Sequence, residues 1–246
     1  MAAILYGTMT RIVICLLALC ASLHCLPARA GAWARAPGEL FLSFSSNMQG
    51  SVTDLAGGMS ALDRYDSAYL ELGLGHRLTF GAELGRGTVT HEALVFLRYT
   101  LTPDDARTQL AVDFGAGQRR VADTEDATLL RLGLSLGRGF ALDPPDWLPL
   151  PVSGGWMALD GTAVQDLAVE TTRWKVEATL GLTAWDRHSL MLQLVAEEWP
   201  GQDVTWGINP SVVFALGAAT SLELGLRATF AEVPQYGLEL GLWHRF

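Results

Sequence analysis

Charged side chains alternate with apolar ones along much of the chain, and this spacing is the most informative chemistry it offers. Glu71, Glu83, Arg98, Asp113, Arg131, Lys175, Glu177, Glu223, Arg227 and Glu239 each stand between two apolar residues, and Glu197 follows one. Glu39 and Asp160 fit the same pattern more loosely. Charges spaced in this way would all point to one side of extended chain. Two uses are open to them. An acidic excess in a narrow passage favours cations, because low-dielectric walls focus the field. Alternatively, the charges pair with one another and stiffen a filled interior. Nucleophilic catalysis has less support, since it needs a hydroxyl within hydrogen-bond reach of a base. The histidines after residue 30 are His76, His91, His188 and His244, and none has a serine two residues away. His188 and Ser189 are adjacent, so in a strand their side chains point apart. His91-Glu92 is the nearest thing to a metal-ligand pair and falls short of a coordination set. The expectation is therefore no enzyme, no metal and no cofactor.

The elements that would carry these charges are strands. A period of two predicts twelve of them, beginning with Glu39–Ser45, Tyr69–Leu74, Leu78–Leu84, Ala93–Leu101, Leu110–Gly115 and Leu130–Leu136. Trp156–Ala163, Trp174–Leu182, Leu190–Glu197, Ser211–Leu216, Leu222–Ala228 and Tyr236–Phe246 complete the set. Trp156–Ala163 alternates weakly, so ten strands is the fallback count. Gly75-His76-Arg77 reads as a tight turn. Asn47–Arg64 and Arg119–Asp126 read as polar loops, and the prolines of Gly137–Gly154 mark a long connection. Pro210 reads as tolerable near the start of its strand. Gly31–Pro37 reads as a short lead-in to the first strand.

One stretch differs from the rest. Arg11, the apolar run Ile12–Ala21 and the small residues of Ala28-Arg29-Ala30 form a secretory signal peptide cut before Gly31. Cys15, Cys20 and Cys25 all fall within it, so residues 31–246 have no disulfide and no thiolate metal site. Losing Arg11 and Arg29 takes the formal charge from −9 to −11, which argues against nucleic acid as a partner. The remaining chain has no apolar run of about 18 residues, so no transmembrane helix is encoded.

The last strand, YGLELGLWHRF, places Tyr236, Leu238, Leu240, Leu242, His244 and Phe246 on one face. It resembles the closing strand of Gram-negative outer-membrane β-barrels, in which a terminal Phe and alternating hydrophobics are read by the barrel-insertion machinery. His244 departs from that pattern, where an aromatic is more usual. The resemblance implies an insertion signal at Leu238, Leu240, Leu242 and Phe246. It also implies outer-membrane lipid and the insertion machinery as partners. Alternation alone fits a soluble lipocalin-like barrel equally well. The near-uniform Leu on the apolar face suits featureless lipid, and the glycines of the polar face (Gly73, Gly81, Gly115, Gly133, Gly181, Gly225 and Gly241) suit curvature around a lumen. Trp174, Trp206, Tyr99, Tyr236 and Phe246 lie near strand ends, where interfacial girdles sit. Outer-membrane phospholipases and lipid A deacylases use a Ser activated by His, and that pairing is missing.

The expected fold is all-β, a closed antiparallel transmembrane β-barrel of about twelve strands over residues 31–246, with 1–30 as the signal peptide. The expected function is a small passive channel or transporter in the outer membrane, with an acidic lumen. The rival is a closed structural or interaction barrel presenting Asn47–Arg64 outside. A lipid-modifying enzyme ranks third.

Overall fold

The computed structural model describes residues 31–122, 126–142, 151–185 and 187–246. The expected signal peptide lies outside these residues. Twelve strands form a closed barrel in which each pairs with its sequence neighbours and the last pairs with the first, antiparallel throughout. They are β1 (Leu40–Gly50), β2 (Asp63–Gly75), β3 (Leu78–Arg86), β4 (Thr90–Thr100), β5 (Thr108–Val121) and β6 (Ala127–Ala141). β7 (Val152–Asp166), β8 (Thr171–Ala184), β9 (His188–Glu198), β10 (Thr205–Ala215), β11 (Thr220–Phe230) and β12 (Gln235–Arg245) follow. Closure leaves no edge, and it is sealed where Phe246 and Leu40 exchange backbone hydrogen bonds.

The alternating register decides which face meets which medium. Val95, Leu97, Phe114, Leu130, Leu132, Leu134, Leu192, Leu194, Leu224, Leu226, Leu238, Leu240 and Leu242 all project outward and are exposed. A continuous apolar belt of this size cannot persist in water and is stable in lipid. Trp206, Phe230 and Tyr236 flank it at one rim; Tyr99, Trp185, Phe214 and Phe246 flank it at the other. β1 begins and β12 ends at the second rim, the periplasmic one in bacterial barrels with an even strand count.

Several strands run past the apolar stripes that revealed them. β1 continues to Gly50, which shortens the expected Asn47–Arg64 loop; α1 (Val52–Gly57) and a 3₁₀ turn (Met59–Ala61) lie within the remainder. Ser51 caps α1 by accepting from the Asp54 N–H, and the Asp54 carboxylate accepts from Ser51 N–H in return. β5 likewise shortens the Arg119–Asp126 loop, and β6 and β7 shorten the Gly137–Gly154 connection. Backbone ladders need no apolar side chains, so polar residues above the bilayer extend them unseen by periodicity. Residues 123–125 and 143–150 of these two connections lie outside the described residues.

Two local features depart from simple strand geometry. His76 and Arg77 both have positive φ (51° and 64°), as a two-residue hairpin turn between twisted strands requires. Pro210 lies in mid-strand, not near the start. It pairs with Leu192 of β9, while toward β11 the ladder lapses between Ile208 and Ser211, because proline has no N–H to donate.

Candidate functional site

The interior is built from the residues that alternate with the lipid-facing ones. A central cavity of about 900 Å³ is lined by Glu71, Glu83, Arg98, Arg131, Lys175, Glu177, Glu197, Glu223, Arg227 and Glu239, together with Asp160. Asp113 lies in the wall behind it, 1% exposed. Glu39 sits at the periplasmic rim, where it accepts from Ala36 N–H at 3.0 Å and pairs with Arg35.

These charges do not act as one set. On the wall from β2 to β6 they are mutually bound. Glu71 is gripped by Arg98 and by Arg35, whose Nε donates at 2.7 Å, and it also accepts from the Tyr69 hydroxyl. Arg131 bridges Glu83 at 2.6 Å and Asp113 at 2.8 Å, and Asp113 lies 3.8 Å from Arg98. The guanidinium groups of Arg98 and Arg131 also cover the Phe96 ring. Cations and carboxylates balance here, and water scarcely reaches any of them but Glu83.

The wall from β7 to β12 is different. Asp160, Glu177, Glu197, Glu223 and Glu239 face Lys175 and Arg227, an excess of three carboxylates between the two rims. Lys175 holds Glu177 at 2.7 Å and Arg227 holds Glu239 at 3.1 Å. Glu223 accepts from Ser211 at 2.8 Å. Glu197 and Glu223 line the cavity and form no ion pair with the described residues.

The inward glycines have a more specific task than curvature. A side-chain carbon on Gly81 would meet the Phe96 ring at 2.0 Å, and one on Gly181 would meet Trp156 at 2.2 Å. Each clears the space that a large inward side chain on the next strand occupies. Phe96 and Trp156 are both 2% exposed as a result.

Gly31–Pro37 is not a free lead-in. It folds back into the periplasmic half of the barrel. Ala32 is fully buried, and its carbonyl accepts from the Thr100 hydroxyl at 3.2 Å. The Arg35 N–H donates to Thr79 Oγ1 at 3.3 Å. Trp33 packs against the cluster of Trp156, Met191 and Val213, with Trp243 beside it. Trp33 lines two further cavities of about 660 and 730 Å³ on the periplasmic side, and Arg35 reaches from one of these to the central cavity. The segment therefore narrows the path between them.

At the opposite rim, two ion pairs cross from wall to wall. Arg173 of β8 holds Glu92 of β4 at 2.8 Å, and Arg119 of β5 holds Asp166 of β7. Both guanidinium groups lie over the Trp199 ring. The sequence signalled these positions, because each continues the polar parity of its strand beyond the apolar stripe. No such signal marks Trp33 or Arg35.

Imidazole chemistry is sparse. His188 Nδ1 accepts from the Ala215 N–H at 3.2 Å. Thr220 and His244, register partners on β11 and β12, bring a hydroxyl to 2.8 Å from an imidazole Nδ1, a contact that scanning along single strands does not find. No carboxylate hydrogen-bonds that ring among the described residues, and Phe246 lies against it with centroids 4.2 Å apart. The described residues contain no group of three or more potential metal ligands.

The barrel is similar in structure to the KdgM porin, with a TM-score of 0.59 at 10% identity over 84% of this chain and 99% of that one. The fold is that of outer-membrane β-barrels. An outer membrane channel from Pseudomonas putida F1 matches with a TM-score of 0.58 at 11% identity, covering 90% of this chain and 100% of that one. The NanC porin matches with a TM-score of 0.54 at 8% identity, covering 82% and 98%. No protein-family model matches the chain, and no curated protein matches it in sequence. The lipid belt and this fold together place the protein in the outer membrane.

Proposed function

We propose that the protein is a small passive channel of the outer membrane whose acidic wall favours cations. The observation that carries this reading is the uncompensated carboxylate excess on the β7–β12 wall of an interior cavity. Charge bound into pairs, as around Glu71 and Arg98, adds little field along the axis. Unpaired carboxylates beside water attract cations and repel anions, and low-dielectric walls amplify the difference. The mature chain, residues 31–246, is the channel unit, and 1–30 directs export. Leu238, Leu240, Leu242 and Phe246 present an apolar edge to the insertion machinery, and deleting Phe246 should slow assembly in cells as well as remove its backbone hydrogen bonds with Leu40. The porins with which the barrel shares its fold support the channel reading by analogy.

The test is conductance of the refolded mature chain in a planar bilayer. Discrete steps with a reversal potential on the cation side are expected. A folded protein that gives no steps overturns the channel and leaves the second reading, a closed envelope barrel that acts through its outer surface. The packing of Gly31–Pro37 into the periplasmic half is the observation that favours that alternative. In that case changes to the Asn47–Arg64 region would impair its role, and changes to the lumen would not.

A further inference from the structure

Asp160 lies inside the barrel on β7, opposite Ser135 of β6, and has no Arg or Lys at ion-pairing distance among the described residues. The cations acting on it across space, Arg98 and Lys175, are committed to Glu71 and Glu177. An unmatched carboxylate in an enclosed site is costly, so a missing cation is expected there. Gly31 is the residue beside it. A side-chain carbon built on Gly31 would lie 2.4 Å from Asp160 Oδ1, and its φ of +74° is one that glycine adopts freely.

We propose that removal of the signal peptide before Gly31 creates an α-ammonium that pairs with Asp160 and locks Gly31–Pro37 in the barrel as a plug. The inference rests on the expected cleavage site, and it would take Asp160 out of the acidic excess on the β7–β12 wall while leaving Glu197 and Glu223. Hydrolysis of the Ala30–Gly31 bond consumes one water, leaves a carboxylate on Ala30 and gives Gly31 an amine that binds a proton near neutral pH. In the uncut chain the same nitrogen is a neutral amide and cannot supply the charge. The rest of the seat is preformed. A side-chain carbon on Gly73 would strike the Ala36 carbonyl oxygen at 2.0 Å, and one on Gly137 would strike the Trp33 ring at 2.5 Å. Both positions must therefore stay bare for the segment to dock. Processing thus becomes the step that completes the interior, and the plug is held by one ion pair made only after export.

The test uses the protein purified from outer membranes. Intact mass is expected to show a chain starting at Gly31. Acylation of the terminal amine near neutral pH should run at least about tenfold slower in the wild type than in Asp160→Asn, equivalent to about one pKa unit of protection. Asp160→Glu should restore part of the protection. A second variant leaves the barrel unchanged: one alanine inserted after Ala30, so that cleavage leaves Ala before Gly31. Its displaced amine should acylate at the Asp160→Asn rate. A different first residue, or equal acylation rates in the wild type, Asp160→Asn and the insertion variant, overturns the proposal. Conductance separates it from the channel reading: a barrel silent in every variant defeats the channel, while protection of the amine still stands or falls separately.

Discussion

Replacing Glu197 and Glu223 together with Gln should weaken cation preference several-fold without unfolding the barrel. Both carboxylates face the central cavity, and neither is tied to a cation. A unit charge about 7 Å from a permeating ion contributes about 0.6 kcal/mol in water, and a Debye length of about 10 Å halves this to about 0.3 kcal/mol. A cation gains that energy and an anion loses it, so each carboxylate changes the cation-to-anion ratio by a factor of about 3. The pair should therefore lower the ratio by about sevenfold, more if the wall focuses the field. The assay is the reversal potential in a potassium chloride gradient at about pH 8, well above the ordinary carboxylate range. Glu71→Gln combined with Arg98→Gln serves as the contrast, because the two charges already offset each other and their joint removal should shift selectivity less. A double variant that conducts normally with an unchanged reversal potential would refute the assignment of selectivity to the β7–β12 wall. An equal shift from the Glu71→Gln, Arg98→Gln variant would show that the paired wall sets the field instead.

Three further outcomes follow from the packing. Glu71→Gln leaves two buried guanidinium groups short of a partner and should cost about 3 kcal/mol, read as a lower urea midpoint in detergent micelles. Gly81→Val drives a side chain into the Phe96 ring and should cost about 1–3 kcal/mol. Combining it with Phe96→Ala should cost less than the sum of the two single changes, and strict additivity would show that the ring does not fill that space. Leu240→Arg, at the middle of β12 on the lipid face, should cost about 2–4 kcal/mol of folding in bilayers, whereas Leu240→Phe should be nearly neutral. An Arg tolerated there would mean that the outer face is not in lipid.

The twelve strands and the polarity of their two faces were legible because a half-wet strand writes its environment into every second residue. Even Trp156–Ala163, where alternation is weak, is part of a full strand; its outward positions beyond Leu159 are the small Gly161 and Ala163, which blur the stripe. Strand ends were misjudged at Asn47–Gly50, at Arg119–Val121 and around Gly139 because backbone pairing continues where lipid no longer selects side chains.

What the sequence determined by itself was local: the period of two, hence the strands, their number and which side chains share a face. Which inward charges would neutralise one another depended on strand order around the closed barrel, since Arg131 meets Glu83 and Arg173 meets Glu92 across strands far apart in sequence. The plug depended on it most. Trp33 and Arg35 have no periodicity to announce them, and their positions follow from bare glycines and an unmatched carboxylate on strands more than 35 residues away. Local patterning reports the medium that each residue faces. Only closure of the chain brings distant residues close enough to decide what the interior holds.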